Sequence, residues 1–259
     1  MNEVADHEVK AIQLKLLANF DRFCKKNDIQ YFLYYGSLLG AIRHGGMIPW
    51  DDDIDVAMTR SEYRKFIKLA ILSENELCVS FPSFQNKTAY VMTKIYEKMS
   101  IIYEDFDGED RLNRIGINID LFVVDYKVNW LRTKLIDLLL LILNVKIVNP
   151  KESAPKITKY TLLLAKLIFR MIPTRLVVFF VDLVSSGSRK THMGCNYSIY
   201  RHKERFNKCI FDKFIDVNFE GMSLPIPADY HSVLKKIFGN YMEPPADKTT
   251  QHTVRSFTL

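Results

Sequence analysis

The chain has 259 residues, of which 48% are apolar and 25% are charged, and it carries a formal net charge of +6. Such a composition is that of one large or two small globular domains, and it excludes collagen, low-complexity disorder and disulfide-stapled miniproteins. The positive charge favours anionic partners such as phosphates, nucleic acid or an acidic membrane surface, without selecting among them.

The cysteines form no CxxC pair, and the first residues show no signal-peptide pattern, so a reducing cytoplasm is the expected location. A zinc set would have to come from His192, Cys195, His202 and Cys209, whose spacing fits no standard zinc motif. Apolar runs stay well below the roughly 20 residues that a bilayer-spanning helix requires, so no transmembrane helix is expected.

The N-terminal segment predicts a helix, a strand and a second helix. Apolar residues recur at intervals of three and four over Val9–Cys24, which is helical spacing. Ile29–Tyr35 is aromatic and β-rich, and it ends at Gly36-Ser37, after which Leu38–Arg43 can form a helix. A strand, a glycine turn and a helix start together favour an anion-binding site.

Further strands are expected after this point. Ile54–Met58 is a short strand, and Thr59 with Glu62 has capping-box spacing for the helix that follows. The next predicted strands are Leu77–Phe81, Tyr90–Tyr96, Ser100–Glu104 and Ile115–Val124. Alternation in the last of these places Asp120 on the face opposite the isoleucines.

The chain beyond Trp130 predicts three helices separated by prolines: Leu131–Val148, Ile157–Ile172 and Leu176–Val184. Lys159, Lys166 and Arg170 share one face of the middle helix. Two interpretations remain open, a helix on a membrane surface and a core-packing helix with a solvated edge. We expect two regions, a mixed α and β core at 1–128 and a helical and C-terminal region at 129–259 that contacts a membrane.

An acidic cluster carries the chemistry, because Asp51, Asp52, Asp53 and Asp55 place four carboxylates within five positions. Two carboxylates roughly 5 Å apart repel by about 3 kcal/mol at an effective dielectric of about 20, so a partly buried set needs a cation or shifted pKa values. Strand alternation points Asp53 and Asp55 to one side, where they can share Mg²⁺, with Asp120 completing the site.

Two other interpretations of the cluster remain open. The first is a solvated acidic loop, which is what most charge runs are. The second is a calcium loop, since Asp51, Asp53, Asp55 and Glu62 match EF-hand positions, although Val56 stands where that loop requires glycine.

Gly36-Ser37 and the later Asp53-Ile54-Asp55 resemble the nucleotidyltransferase signature. The whole run from Tyr35 to Met58, which includes Gly-Ser-Leu-Leu-Gly and Pro-Trp-Asp-Asp-Asp-Ile-Asp, resembles the hallmark of the LicD family. The resemblance continues at Ile119-Asp120-Leu121-Phe122, where Val123-Val124 replaces a common Pro-Leu, and at Phe219-Glu220-Gly221 and Gly239-Asn240-Tyr241.

This resemblance implies an α+β fold, with a nucleotidyltransferase-like mixed-sheet core, flanking helices and a mainly helical C-terminal half. It implies an enzyme that transfers phosphocholine, or a related phospho-alcohol, from a CDP-alcohol such as CDP-choline. The implied acceptor is a hydroxyl of a cell-surface glycan, such as lipopolysaccharide, teichoic acid or capsule, or of its lipid-linked precursor, at the inner face of the membrane.

Residue roles follow from the same resemblance. Asp53 and Asp55 are expected to bind Mg²⁺, or Mn²⁺ in its place, and Asp120 to be a further ligand or the base for the acceptor hydroxyl. The expected substrate-binding residues are Gly36, Ser37, Arg43, His44, Trp50 and Lys94. The role of His252 stays open.

Other functions remain as alternatives. A nucleotidyltransferase would move an NMP group to a small acceptor, and a non-catalytic scaffold would bind anionic lipid through its basic helices. Nucleic-acid binding is suggested only by the pI of about 9.0, without a clustered basic patch, and no nucleic-acid partner is expected.

Overall fold

The computed structural model describes the backbone of residues 2–73, 76–82, 90–106, 109–113, 115–147, 155–187, 191–244 and 254–258. The chain has the predicted α+β fold, with helices around a mixed sheet. Its helices are α1 (Asp6–Lys26), α2 (Tyr35–His44), α3 (Arg60–Leu72), α4 (Trp130–Ile147), α5 (Lys156–Phe169), α6 (Thr174–Ser185) and α7 (Tyr230–Phe238).

The main sheet is built around β8 (Asn118–Tyr126). Its path runs β10 (Phe206–Asn207), β9 (His192–Gly194), β8, β3 (Asp55–Thr59) and β2 (Phe32–Leu33). β5 (Thr93–Tyr96) also pairs with β8, and β4 (Val79–Ser80) pairs with β5. The pairing of β3 with β8 is parallel, whereas β2, β5 and β9 join their neighbours antiparallel.

Two smaller sheets complete the strands of the described ranges. One has the order β1 (Asn2–Val4), β13 (Val254–Thr258), β6 (Ser100–Phe106) and β7 (Glu109–Asn113). The other is a hairpin of β11 (Phe214–Phe219) and β12 (Met222–Pro227). Predicted strands at β3, β4, β5, β6 and β8 are confirmed, with shifted ends.

The core forms where the apolar stripe of α1 meets the main sheet. Leu17 and Phe20 are fully buried, and the Phe20 ring lies 5.6 Å from that of Phe66 on α3. Every residue of β8 from Asn118 to Asp125 is buried, so both faces of this strand are covered. Asp120, predicted on the face opposite the isoleucines, therefore lies in the interior.

Local chemistry explains two further differences from expectation. Tyr34 caps the N-terminus of α2, so β2 ends at Leu33 instead of Tyr35. The capping box at α3 does not form, because Thr59 makes no side-chain cap hydrogen bond and Glu62 accepts from the backbone N–H of Gln30 at 3.0 Å.

The three predicted helices of the C-terminal half are confirmed as α4, α5 and α6. Strands β9 and β10 from this half join the main sheet, and the division at residue 128 stays a prediction. No residue of α5 is fully buried, so its interpretation as a core-packing helix is wrong. Within the described ranges, none of the helices combines the length and apolar character needed to cross a bilayer.

Candidate active site

Two parallel strands at the centre of the main sheet place two carboxylates side by side. Asp55 on β3 is the register partner of Asp120 on β8. The backbone N–H of Asp120 donates to the carbonyl of Ile54 at 2.8 Å. Both side chains are buried, Asp55 being 7% exposed and Asp120 9%. The strand register thus brings together two of the three predicted catalytic carboxylates.

The first turn of α2 is joined to the same carboxylates. The backbone N–H of Gly36 donates to Asp55 Oδ2 at 3.2 Å, and the N–H of Asp55 donates to Ser37 Oγ at 2.8 Å. A Cβ on Gly36 would overlap Asp51 Oδ2 and would lie 3.6 Å from Asp55 Oδ2. Both carboxylates therefore face the positive end of the α2 dipole, and Ser37 positions Asp55.

The buried carboxylates repel one another. Burial raises the pKa of the Asp55 carboxyl well above its ordinary value, and Asp53, Asp120 and Asp51 raise it further. The Gly36 hydrogen bond lowers it. Burial also raises the pKa of Asp53 well above its ordinary value, with the charges of Asp51 and Asp120 next in size. Asp55 and Asp120 are thus buried and paired in the sheet, whereas a solvated acidic loop would leave Asp55 exposed.

Lys94 supplies a positive charge to this cluster. Its ammonium donates to Asp120 Oδ1 at 2.7 Å and to Asn118 Oδ1 at 3.0 Å, and lies 4.2 Å from the ring centroid of Tyr90. The Lys94 side chain is buried, and its charge lowers the pKa of Asp53. Lys94 thus lies in the predicted site, where it orients Asp120.

The residues present fit a hard divalent cation. Their donor atoms are carboxylate oxygens. The four aspartates carry more negative charge than the ammonium of Lys94 can neutralise, so a cation is favoured. Oxygens that lie within 4.8 Å of one another come from Asp51, Asp52 and Asp53. The predicted set of Asp53, Asp55 and Asp120 is more widely spaced, and Asp53 belongs to both groups.

Replacing Gly36 by alanine should separate this site from the stability of the fold. We expect Gly36→Ala to fold normally, because the displaced atom is the end of the Asp51 side chain, and to lose about tenfold or more of the activity through misplaced carboxylates. Gly40→Ala is the contrasting variant, since its Cβ would overlap the backbone carbonyl oxygen of Gly46. Thermal melting and activity assays on both variants check this, and a Gly36→Ala chain with full activity contradicts it.

Arg43 and His44, at the C-terminal end of α2, form a second group with Trp50, which directly precedes Asp51 in the chain. The Arg43 guanidinium lies 5.7 Å from the Trp50 ring centroid and donates to the Tyr241 carbonyl at 3.1 Å. The His44 ring is 5.8 Å from that of Trp50. Arg43 follows Gly36 by seven positions, about 10 Å along a helix axis. Partial burial and the Arg43 charge lower the pKa of the His44 imidazole.

Tyr200 is a site residue that the sequence did not indicate. Its ring lies 5.5 Å from that of Tyr35, and it is half-buried. Burial raises the pKa of its phenol, and the charges of Asp55, Asp51 and Asp53 raise it further. No motif or periodicity marks Tyr200, since only the fold brings residue 200 beside the carboxylates.

Glu204 was missed as well, and it is fully buried. Its carboxylate accepts from the hydroxyl of Tyr34 at 2.8 Å, the hydroxyl of Tyr35 at 2.7 Å and the backbone N–H of Cys195 at 2.9 Å. The hydroxyl of Ser198 also donates to it. Glu204 therefore anchors the residues that immediately precede Gly36.

Glu220 explains one part of the family resemblance. Its Oε1 accepts from the backbone N–H of Met47 at 2.9 Å, and its own N–H donates to the Gly45 carbonyl at 3.0 Å. It thereby holds the loop that leads to the aspartates. The motif Phe219-Glu220-Gly221 was the signal for this residue.

Two metal-site alternatives are wrong. Among the described residues, the ligand atoms of His192, Cys195, His202 and Cys209 form no group of three within 4.8 Å, and Cys195 is buried whereas Cys209 is exposed. The calcium loop is excluded because β3 occupies Asp55–Thr59 as a strand, away from EF-hand geometry. His252 lies outside the described residues.

Comparison with known proteins connects this site to a family. Residues 28–135 match the family model described as LicD/FKTN/FKRP, nucleotidyltransferase domain. That range contains Gly36, the aspartate cluster, Lys94 and Asp120. The chain is therefore similar to LicD proteins over the region that holds the candidate site. This similarity supports an enzyme of the phosphotransferase class.

Three relatives accompany this LicD match. A Haemophilus influenzae protein named lipopolysaccharide cholinephosphotransferase LicD is 28% identical over 286 aligned positions, which cover 100% of both chains. An uncharacterized protein of Rickettsia typhi is 41% identical over 56 residues, 21% of this chain and 18% of its own. A similar protein of Rickettsia prowazekii is 41% identical over 54 residues, 20% of each chain.

Proposed function

We propose that this chain is a LicD-type enzyme that transfers phosphocholine, or a related phospho-alcohol, from a CDP-alcohol to a hydroxyl of a cell-surface glycan or its lipid-linked precursor. The observation that carries the proposal is the pairing of Asp55 with Asp120 beside the N–H of Gly36. The full-length relative named as a lipopolysaccharide cholinephosphotransferase supports the donor and acceptor classes.

The transfer is a substitution at phosphorus. An acceptor oxygen forms a bond to the distal phosphorus of the donor, and the bond from that phosphorus to the bridging oxygen breaks. The electron pair leaves with CMP, and the hydroxyl proton passes to a carboxylate of the site. Asp120 is our candidate for that base, because Lys94 fixes its orientation at 2.7 Å.

A divalent cation, Mg²⁺ or Mn²⁺, would be held by Asp53 and Asp55, with Asp120 or Asp51 as further ligands. When bound it neutralises charge on the donor phosphates and on the leaving group. The Gly36 N–H and the α2 dipole favour a phosphate in the same place.

The second group completes the donor site in this proposal. Trp50 offers an aromatic face for a nucleobase or a choline cation, and Arg43 and His44 offer donors to phosphate. The acceptor approaches from the side of the C-terminal region, at the cytoplasmic face of a membrane. No nucleic acid takes part.

Product analysis tests the proposed reaction. The chain is incubated with CDP-choline, CDP-ethanolamine or CDP-glycerol and isolated lipopolysaccharide, with and without Mg²⁺. We expect CMP release that requires both acceptor and metal. Release of pyrophosphate from CTP and a small phosphorylated acceptor, without CMP release from any donor, would instead establish nucleotidyl transfer, which the name of the matching domain favours. Absence of turnover together with absence of Mg²⁺ binding in calorimetry would establish a scaffold.

A further inference from the structure

Helices α4, α5 and α6 expose many large apolar side chains to solvent. Helix α5 has no fully buried residue, and most of its large apolar side chains are more than half exposed. These are Ile157, Tyr160, Leu163, Leu164, Leu167 and Ile168. Their spacing of three and four places them on one broad side of the helix, opposite half-buried Phe169.

The neighbouring helices continue this exposure. On α4, which packs against both α5 and α6, Leu131, Leu138 and Leu141 are 50–60% exposed. On α6, Leu183 is 52% exposed. Large exposed apolar patches mark interaction surfaces, because soluble proteins otherwise expose apolar side chains mostly singly.

The positive charge of this region favours an anionic partner. Residues 156–181 contain Lys156, Lys159, Lys166, Arg170 and Arg175 and no aspartate or glutamate. Two copies of such a face would repel each other, whereas an anionic surface would be attracted. Basic side chains beside an apolar helix face are the pattern of helices that lie in the interface of an anionic bilayer.

A cationic cleft borders the same surface. A cavity of about 420 Å³ between α3 and α6 is lined by Arg60, Arg64, Lys68 and Asp182, and also by the exposed Leu183. Arg60 is paired with Asp125 and Asp182. The charges of Arg64 and Lys68 therefore favour an anionic group at this edge as well.

We propose that the apolar side of α5, with the exposed residues of α4 and α6, docks on an anionic lipid bilayer as a peripheral surface. The apolar side chains enter the interface, the flanking lysines and arginines contact lipid phosphates, and the cleft lined by Arg64 and Lys68 accepts a headgroup. This docking goes beyond the transfer reaction, because it requires neither donor nor metal.

Vesicle sedimentation of the full chain tests the proposal. We expect binding to vesicles of phosphatidylcholine with phosphatidylglycerol, about tenfold weaker binding to phosphatidylcholine alone, and weakening by salt. The double variant Leu164→Glu/Ile168→Glu should lose about tenfold or more of the binding, as should Lys156→Glu/Arg170→Glu. Leu72→Glu is the matched control, since Leu72 is 74% exposed on α3, and it should bind as the original chain does.

The outcomes separate lipid from other occupants. Thermal melting confirms that the variants fold, and all altered side chains on α5 are exposed. Unchanged vesicle binding by Leu164→Glu/Ile168→Glu overturns the proposal, as does failure of the original chain to bind anionic vesicles. A dimer that this variant dissociates, with no vesicle binding by either form, assigns the surface to a second copy. CMP release from a soluble acceptor is measured separately, so failure of docking and failure of the proposed reaction are distinguishable.

Discussion

Asp55→Asn is expected to abolish turnover and to stabilise the metal-free chain. Asparagine keeps an acceptor for the Gly36 N–H, which donates to Asp55 Oδ2 at 3.2 Å, so the turn is preserved. It removes a negative charge that faces Asp53, Asp120 and Asp51. We expect activity to fall by at least about 10²–10³-fold, the effect of losing one electrostatic group at a reacting centre.

The stability change follows from the raised pKa of Asp55. A folded-state pKa above the unfolded value means that the folded chain holds this proton more tightly, so stability is highest at low pH. The contribution of Asp55 to stability is lost as the pH rises from about 4, the unfolded pKa, through the raised folded-state pKa. Above that range Asp55→Asn should unfold with a free energy larger by about 1–3 kcal/mol, and the pH dependence should flatten.

Urea unfolding in the presence of a chelator, at pH 5 and at pH 8, measures both effects. Asp212→Asn serves as the control, because Asp212 is exposed and should change neither activity nor stability. A variant that is less stable than the original chain at pH 8 would show that Asp55 is not repelled by its neighbours. Full activity of Asp55→Asn would remove it from the catalytic site.

Glu204→Ala is expected to cause the largest loss of stability of any substitution considered. The variant leaves the hydroxyls of Tyr34 and Tyr35 and the backbone N–H of Cys195 without their acceptor. It also removes the anion that balances buried Lys127. Breaking such a buried set costs about 3–5 kcal/mol, which lowers the melting temperature by roughly 10 °C in a chain of this size.

The effect should extend to activity, because Glu204 holds a strained backbone. Tyr35 has φ 37°, a left-handed conformation that a tyrosine rarely adopts, and its hydroxyl donates to Glu204. Losing this anchor should let the first turn of α2 relax away from Asp55. We therefore expect kcat to fall in Glu204→Ala at temperatures where the chain is folded, and Glu204→Gln to restore part of it.

Thermal melting and steady-state kinetics check these expectations. The control is Glu76→Ala, since Glu76 pairs with Lys26 at the surface and such pairs contribute about 1 kcal/mol or less. If Glu204→Ala and Glu76→Ala have the same melting temperature, the buried carboxylate of Glu204 does not anchor the site.

Local patterns in the sequence were sufficient to predict most of the helices and strands. The apolar spacing of α1 and the proline-separated helices α4–α6 are properties of neighbouring residues, and each was predicted. The predicted turn at Gly36-Ser37 is wrong, because α2 begins at Tyr35 and includes both residues. The run Tyr35–Met58 was specific enough to indicate the family. Asp53, Asp55 and Asp120 could be named as one set because burying charged carboxylates in or beside strands destabilises the fold, so such carboxylates indicate a functional site.

Only the tertiary structure decided which groups meet. Strand register, which depends on packing across the whole sheet, paired Asp55 with Asp120 and placed Lys94 beside them. The same folding placed Arg43 at the end of α2 opposite Gly36, and it buried both faces of β8. Tyr200 and Glu204 reach the site from about 170 positions along the chain, and no local pattern encodes such a contact, because it arises from the packing of distant segments around one core.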